Sequence, residues 1–479
     1  MARSLAAPKA FIVIVLAGFL LLPEGNTVDL PLLPGLDKIS IPVLCALVFV
    51  VIFGLAKSTT QTAPLMPRHL MLRFSIVALV FGAFMMVMTN GDGIVIANAR
   101  FLRRLQPYDA FSEILTTLIL LLPLLLARKY LGHPSMQILL LKTVVIAATC
   151  YTFLALYEIR MSPQLNITFY GFFPHAWVQH FRGGSWRPLV FLSHGLVLAL
   201  FFAMAATAAL GLAKILKKQR AAYMLATGWI FGTLLLSSSL GALIIAVLLL
   251  PMVMFLGVRT QLIAASVIAG LVIFYPALRS SQIMPIETIS QAAASIDEAR
   301  ARSLMVRLRN EEAMLTKASQ RPVFGWGGWG RSRVYDQNTG RDYTLADGYW
   351  IITLGVGGWW RYIFEFGLFA FPIFLLTLRA KRFEIGPETS VIALMLAGNM
   401  IDLIPNSGVT PLTWMLAGAL WGRLELGRVT GNADPVASAS QSTLGYRRTS
   451  QADATQPASA PAYTRQSERH ERQKRLRPK

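Results

Sequence analysis

Long apolar stretches separated by short polar segments recur along most of the chain. A helix needs roughly 20 apolar residues to cross the hydrocarbon core of a bilayer, and twelve stretches reach or approach that length. They are 10–22, 40–56, 70–88, 110–127, 137–157, 189–213, 221–237, 240–257, 261–277, 359–378, 389–405 and 409–425. The pattern predicts an all-α polytopic membrane protein with about 12 transmembrane helices within residues 1–427.

The amino-acid composition agrees with this pattern and excludes a soluble enzyme. Hydrophobic residues make up 54% of the chain and charged residues only 14%, too few to cover the surface of a soluble protein of this length. The first apolar stretch resembles a signal peptide, but no convincing cleavage site follows it, so we expect an uncleaved first helix. Cys45 and Cys150 lie in apolar stretches and form no disulfide or metal-binding pattern.

The net charge of +21 is explained by membrane topology rather than by nucleic acid. Lysine and arginine collect in cytoplasmic loops, where they also meet anionic lipid headgroups. With a cytoplasmic N-terminus, basic clusters such as 214–220 fall inside, although the outside segment 89–109 also carries three arginines. We therefore predict that both termini are cytoplasmic and that the long loops 158–188 and 278–358 lie outside. Membrane lipids are expected partners and nucleic acid is not.

The second long loop has a helical centre and a glycine-rich end. Leucines recur at helical spacing and predict a helix at roughly 290–319, between the ninth and tenth apolar helices. The runs RPVFGWGGWGRSR and LGVGGWW follow, and glycines at this density indicate tight turns and close backbone approach. Residues 428–479 change abruptly to Ser, Ala, Gln, Thr and Pro with a basic end, which predicts a disordered cytoplasmic tail.

Candidate chemistry lies in the arginines of loop 278–358. The chain lacks a P-loop, a dinucleotide fingerprint, a zinc HExxH motif, a serine-hydrolase elbow and the kinase motifs. The outside loops also lack the DxD spacing of metal-dependent sugar transferases. Nine of the ten basic residues in the loop are arginines, and guanidinium groups bind phosphate bidentately. We expect at least one of them to contact an anionic substrate, without a metal or cofactor. For any single arginine, the alternative is a solvated helix surface paired with Glu311 and Glu312.

Three segments resemble motifs of the O-antigen ligase and O-antigen polymerase superfamily. In RLRNEEAMLTKASQRPVFGWGGWG, Arg307 precedes a PxFGxG turn by about fifteen residues. The segment SWRPLVFLSHG resembles a motif at the outer end of a helix, with Arg187 as its arginine. The run LLLSSSLGALIIAVLLL resembles a helix start, except that Leu240 stands where arginine is usual. The resemblance covers about 185–380, and the twelve-helix layout with its large loop also fits.

The resemblance implies a metal-independent inverting glycosyltransferase of the GT-C type. Such enzymes transfer a glycan from an undecaprenyl diphosphate carrier to a sugar or lipid acceptor, at the periplasmic face of the bacterial inner membrane, in O-antigen or exopolysaccharide assembly. Arginines take up the charge of the leaving diphosphate, and the candidates are Arg187, Arg307 and Arg321. The implied partners are the lipid-linked oligosaccharide and the acceptor, with a chain-length regulator as a further candidate.

One departure from the superfamily pattern concerns Asp347. Ligases that this chain resembles carry a histidine in an HNxYL pattern before the chain re-enters the membrane, and Asp347 stands in its place. The departure favours a polymerase over a ligase. The carboxylate can act as a general base on the acceptor hydroxyl, or it can cap a helix that starts at Gly348 or Tyr349.

Other candidates and other functions stay open at this point. His194 is a lone histidine near an apolar helix, a position that is usually structural. Glu365 is an acid inside a predicted membrane helix, but it can pair with Arg361 four residues earlier. The alternatives to a transferase are a transporter or flippase for a lipid-linked or anionic solute and a structural membrane protein without an active site.

Overall fold

The computed structural model describes a chain of helices with only two very short hairpins. It covers residues 6–29, 34–53, 61–96, 100–174, 177–182, 184–281, 298–336, 338–342, 344 and 347–429. The helices are α1 (Ala6–Leu21), α2 (Ser40–Phe53), α3 (Leu70–Met88), α4 (Pro107–Tyr130), α5 (Pro134–Met161), α6 (Leu165–Tyr170), α7 (Gly195–Ile215), α8 (Arg220–Leu236), α9 (Leu240–Phe255), α10 (Val258–Ser280), α11 (Glu298–Ser319), α12 (Tyr349–Phe383), α13 (Pro387–Asp402) and α14 (Pro411–Leu426). The antiparallel hairpins pair β1 (Ile94–Ile96) with β2 (Arg100–Leu102) and β3 (Phe181–Arg182) with β4 (Ser185–Trp186).

The fold is all-α and belongs to a multi-pass membrane protein. Among the described residues, six helices are long and apolar enough to cross a bilayer: α3, α4, α5, α7, α10 and α12. Helices α1, α2 and α9 are apolar but shorter. Every predicted apolar stretch overlaps a helix. The predicted number of about 12 spans is not confirmed, because only six of the described helices are long and apolar enough to cross a bilayer.

Helix α7 begins later than the predicted apolar stretch 189–213. The six residues before Gly195 are not helical, and Val190 among them has φ 56°. Pro188 precedes them, and the His194 side chain accepts a hydrogen bond from Leu196 N (3.0 Å) as the N-cap. Apolar character therefore predicted burial correctly here, while a proline and a capping histidine set the helix boundary.

Helix α12 is broken at Gly358, where φ is 66° and ψ is −170°. The Tyr349 hydroxyl donates a hydrogen bond to Glu365, 16 residues along the chain, whereas a straight helix would separate them by about 24 Å. Segment 349–357 therefore folds back against the start of the long apolar part. The predicted helix start at 359 coincides with the break, and 349–357 is helical rather than a loop.

The loop after α11 fills the break in α12 with backbone contacts. Trp359 N donates to Pro322 O (2.8 Å) and Trp360 N donates to Val323 O (3.1 Å), so amides freed by the break are satisfied. A Cβ at Gly358 would collide with the carbonyl oxygen of Val323. The two glycine-rich runs thus lie against each other, which confirms the predicted close backbone approach.

The last helix, α14, packs along α4 and is fixed there by a buried ion pair. Arg128 near the end of α4 pairs with Glu425 near the end of α14, and both side chains are buried. Arg128 also donates through Nη2 to the carbonyl oxygens of Pro64 (2.7 Å) and Leu65 (2.6 Å). Hydrogen-bonded in this way, a charged pair is tolerated in the bundle interior.

One end of the bundle carries most of the connecting loops. Helices α7 and α9 run in the same direction, because Lys214 at the end of α7 donates to Val253 O near the end of α9 (2.8 Å). Gln261 in the first turn of α10 donates to Val253 O in the last turn of α9 (3.3 Å), so α10 folds back beside α9 and returns to the opposite end. We call that opposite end the loop face. Helices α7 and α9 begin there, α10 ends there, and α11 packs against it through Arg279.

The helix predicted at roughly 290–319 is observed as α11, Glu298–Ser319, and residues 290–297 lie outside the described residues. The predicted tail, 428–479, also lies outside them from residue 430 onward.

Candidate functional site

Two of the residues that the sequence singled out meet at the loop face. Arg307 of α11 forms an ion pair with Asp347, just before α12, with 3.1 Å between Nε and Oδ2. The side chains are 38% and 42% exposed, so a ligand can reach either group. An arginine and a carboxylate thus lie side by side on a solvent-accessible surface.

Helix α11 is held in position by a buried arginine at the end of α10. Arg279 forms ion pairs with Glu311 (3.7 Å) and Glu312 (3.0 Å) and donates to Leu308 O (3.2 Å). Burial raises the pKa of Glu311, and the charge of Arg279 opposes that rise. The two glutamates therefore serve contact between helices through Arg279.

Asp347 does not cap the helix that follows it. Gly348 is at the N-cap position of α12, no side chain caps that end, and the backbone amide of Tyr349 donates to Leu403 O and Asn406 O (3.0 Å each). The predicted alternative of a capping role is therefore wrong, although the helix does begin at Tyr349. The carboxylate of Asp347 is directed to Arg307 instead.

A buried charged network continues from the start of α12 into the bundle. Arg361 binds Glu365 (2.8 Å) on its own helix and Glu113 (3.1 Å) on α4, and Tyr349 donates to the other oxygen of Glu365. The predicted pair of Glu365 with Arg361 is confirmed. Glu113, Arg361 and Glu365 border a narrow crevice of about 20 Å³, whose other walls are mainly apolar side chains of α3 and α4.

Arg321 lies at a different place, where it ties the loop after α11 to the end of α3. Its guanidinium donates to Thr89 O (2.8 Å), Asn90 Oδ1 (2.7 Å) and Asp92 Oδ2 (2.7 Å). Buried Arg331 approaches the same aspartate at 3.4 Å. We call Asp92, Arg321 and Arg331 the loop clamp.

The loop clamp fixes the charge state of its aspartate. Partial burial alone would raise the pKa of Asp92, but the hydrogen bond from Arg321 and the charges of both arginines lower it below its usual value. Arg331 also donates to the carbonyl oxygens of Asp92 and Arg103 (2.9 Å each). Arg321 and Arg331 therefore hold the glycine-rich loop at the end of α3 and the start of the segment that leads to α4.

Arg187 is buried in a third part of the loop face. Its Nη2 donates to Ser238 O (2.7 Å), between α8 and α9, and its backbone amide donates to His180 O (2.7 Å). The ring of His180 lies 5.1 Å from that of His194, between centroids. Arg187 and Arg307 therefore lie at the same end of the bundle.

Sequence reasoning missed several members of these networks, namely Asp92, Glu113 and Tyr349. Glu113 carried a usable signal, because an acid in a predicted membrane helix is a functional candidate by default. Asp92 carried none, since its role depends on a loop that lies more than two hundred residues later in the chain. Within the described part of the chain, no three His, Cys, Asp or Glu side chains gather closely enough to hold a metal ion.

Comparison with known proteins gives no match to a protein-family model and no match to a curated sequence.

Proposed function

We propose that the protein is a metal-independent inverting glycosyltransferase that transfers or polymerises a glycan carried on undecaprenyl diphosphate. The acceptor is a sugar or a lipid, and the reaction serves O-antigen or exopolysaccharide assembly. The proposal rests on the motif resemblance around Arg187, Arg307 and Pro322 and on the geometry at the loop face.

The observation that carries the proposal is the contact between Arg307 and Asp347. The sequence assigns the arginine to the leaving diphosphate and the aspartate to the acceptor hydroxyl, and the two side chains lie 3.1 Å apart on an accessible surface. An inverting displacement needs both functions at one anomeric carbon, the base where the nucleophile enters and the arginine on the opposite face where the diphosphate leaves, so the bound substrate would lie between the two side chains. A pair that served only to join two elements would gain little at this exposure, since exposed ion pairs contribute about 0.2–1 kcal/mol.

The proposed reaction uses this pair in one displacement. The acceptor hydroxyl attacks the anomeric carbon, its proton passes to the carboxylate of Asp347, and the bond from that carbon to the diphosphate oxygen breaks. Arg307 then exchanges part of its contact with Asp347 for the diphosphate, whose developing charge it stabilises. Arg187 lies at the same end of the bundle and is the second candidate for that charge. The contacts of Arg321 support a role in shaping the loop that borders the site.

The test compares Arg307→Ala and Asp347→Asn with Arg309→Ala, an exposed arginine of the same helix. Glycan polymer is measured by gel electrophoresis and carrier-linked glycan by mass spectrometry of extracted lipid, at matched protein levels in membranes. General-base assistance contributes about 10²–10⁴-fold, so both site variants should lose most polymer while carrier-linked glycan accumulates. Arg309→Ala should resemble the wild type. Normal polymer from both site variants would overturn the proposal.

The finer topology is part of the same proposal. We propose about 12 spans in the bacterial inner membrane, with cytoplasmic termini and the loop face toward the periplasm, because basic loops such as 214–220 then lie inside. In a variant without native cysteines, a cysteine at Arg309 should react with a membrane-impermeant maleimide in intact cells. A cysteine at Lys218 should react only after permeabilisation. The reverse pattern would invert the topology.

The network of Glu113, Arg361 and Glu365 favours a second candidate, a transporter or flippase for a lipid-linked or anionic solute. Ionisable groups within membrane helices often mark solute or proton pathways. Glu113→Gln separates the candidates. For a transporter, substrate uptake or flipping in reconstituted vesicles should fall with no change in transfer to acceptor. For a transferase, the wild type itself should move no substrate across the bilayer.

A further inference from the structure

A second pocket lies beyond the ends of the spanning helices. It is bordered by the β1–β2 hairpin, the second half of α11 and residues 331–335, and it holds about 250 Å³. That volume is slightly below the range of about 300–1,000 Å³ that drug-sized ligands occupy, so it suits a ligand group of about one sugar residue. Its lining residues all belong to the connections between α3 and α4 and between α10 and α12. A ligand therefore reaches it from the aqueous side of the loop face.

The pocket has one apolar wall and one basic wall. The hairpin contributes the apolar wall, which includes Ile94 and Val95, while Lys317, Arg331 and Arg333 form the basic wall. No acidic residue is among the lining residues in the described part of the chain. The pocket therefore combines positive charge with a surface that can pack against carbon.

The three cations differ in their partners. Arg331 contacts Asp92 (3.4 Å) and Arg333 contacts Asp342 (2.6 Å). Across the ranges that the structure describes, no carboxylate lies within ion-pair distance of Lys317 Nζ. Lys317 is thus the cation of this wall whose charge is left for a ligand.

The surroundings of Lys317 make an added anion favourable. Its Nζ lies 3.6 Å from the ring centroid of Trp326, and the Arg321 guanidinium lies 4.4 Å from the same centroid. Burial lowers the pKa of Lys317, the charges of Arg321 and Arg331 lower it further, and Asp92 opposes them. An anion bound beside Lys317 would relieve this crowding of like charges.

We infer that this pocket binds an acidic saccharide, with Lys317 holding the carboxylate or phosphate of one sugar residue. The carbon face of the sugar ring would pack on the hairpin wall, and its hydroxyls would face Thr316 and Gln320, which also line the pocket. A sugar ring has both surfaces, whereas a simple inorganic anion would leave the apolar wall unused.

An anionic phospholipid headgroup shares the charge but fits the position less well. The residues that line the pocket all lie outside the spanning helices. The choice of a saccharide rests on the proposed glycan transfer. The inference deepens that proposal because it states that the transferred glycan contains an acidic sugar.

The experiment measures binding to purified full-length protein in nanodiscs of phosphatidylcholine. Isothermal titration calorimetry compares trigalacturonate, an acidic trisaccharide, with maltotriose, a neutral one. The wild type should bind trigalacturonate at least about tenfold more tightly, which is the scale of one charged hydrogen bond. Lys317→Gln should lose about tenfold in affinity, Lys317→Arg should lose little, and the exposed control Arg309→Gln should be unchanged. Melting temperatures establish that each variant is folded.

Three results would overturn the inference. The wild type could bind both trisaccharides equally or bind neither, or a folded Lys317→Gln variant could keep wild-type affinity. Trigalacturonate binding could also be lost when phosphatidylglycerol is added to the nanodiscs. The last result would assign the pocket to a lipid phosphate. Binding does not require transfer, so a protein that binds trigalacturonate but transfers no glycan would refute the proposed function alone.

Discussion

Tyr349 and Glu365 are hydrogen-bonded to each other although 16 residues separate them along α12. The contact exists because the helix reverses at Gly358, and the loop at Pro322 and Val323 binds the amides that the reversal exposes. Asp347 precedes this folded-back segment directly. The position of the candidate base therefore depends on a glycine in the middle of an apolar helix.

Replacing that glycine should destabilise the protein. Alanine at Gly358 would have to adopt φ 66° and would press its Cβ against Val323 O, at a cost of about 1–3 kcal/mol in free energy of unfolding. Gly270→Ala in α10 is the matched control, because a Cβ there meets no atom within 4 Å. Thermal unfolding in detergent should show a lower Tm for Gly358→Ala only. Equal melting temperatures for the two variants would contradict the described break.

The loop clamp should weaken in acid. Because the pKa of Asp92 is lowered in the fold, its stabilisation is present above the ordinary value of 3.8 and is lost as the pH falls through the lower folded value. Wild-type protein should therefore be more stable than Asp92→Asn at pH 7, by about 1 kcal/mol or less because the carboxylate is half exposed. The difference in Tm should disappear at a pH well below 3.8. A difference that is constant across this range would show that the carboxylate charge is not what holds the clamp.

Exchanging the charges of Arg307 and Asp347 should separate structure from catalysis. The double variant Arg307→Asp with Asp347→Arg can re-form the ion pair. Its free energy of unfolding should therefore stay within about 1 kcal/mol of the wild-type value, and its Tm should change little. Glycan transfer should nevertheless fall by about 100-fold or more, because the base and the diphosphate ligand have changed places. Recovery of transfer in the double variant, after loss in both single variants, would reduce the pair to a structural contact.

Removing one partner of the buried pair between α4 and α14 should be costly. Glu425→Gln leaves the charge of Arg128 without its carboxylate, which typically costs about 3–5 kcal/mol. Unfolding in mild detergent should start at a clearly lower temperature than in the wild type. The exposed pair of Arg333 with Asp342 is a suitable comparison, and Asp342→Asn should shift the Tm far less. Similar shifts for the two variants would argue against burial as the cause.

Apolar runs predicted the helices well, because a helix buried in lipid or among other helices needs apolar side chains along its whole length. The boundaries at Gly195 and Tyr349 depart from the runs, since capping and backbone torsion rather than hydropathy set them. The glycine-rich segments were recognised as places of close backbone approach. Neither segment's sequence, however, indicates which other segment it contacts.

Within the candidate site, Arg307 and Asp347 were found by their place in short motifs, and their contact bridges forty residues of chain. Arg321 was assigned to the substrate on the same grounds, yet its guanidinium is bound to the end of α3. A motif names residues that matter without saying whether they touch substrate or hold the loop. That distinction needs the three-dimensional partners, here Asn90 and Asp92.

The pairing of α4 with α14 has a consequence for biogenesis. Arg128 is made early in synthesis, but its partner Glu425 is made almost three hundred residues later. Until then the arginine must stay near the interface or be shielded by an insertion factor, so α4 should reach its final depth only after translation is nearly complete. Nascent chains arrested at residue 410 should leave a cysteine placed at Lys129 open to water-soluble maleimide, whereas chains released at residue 430 should protect it. Equal labelling of the two would mean that α4 settles without waiting for the end of the chain.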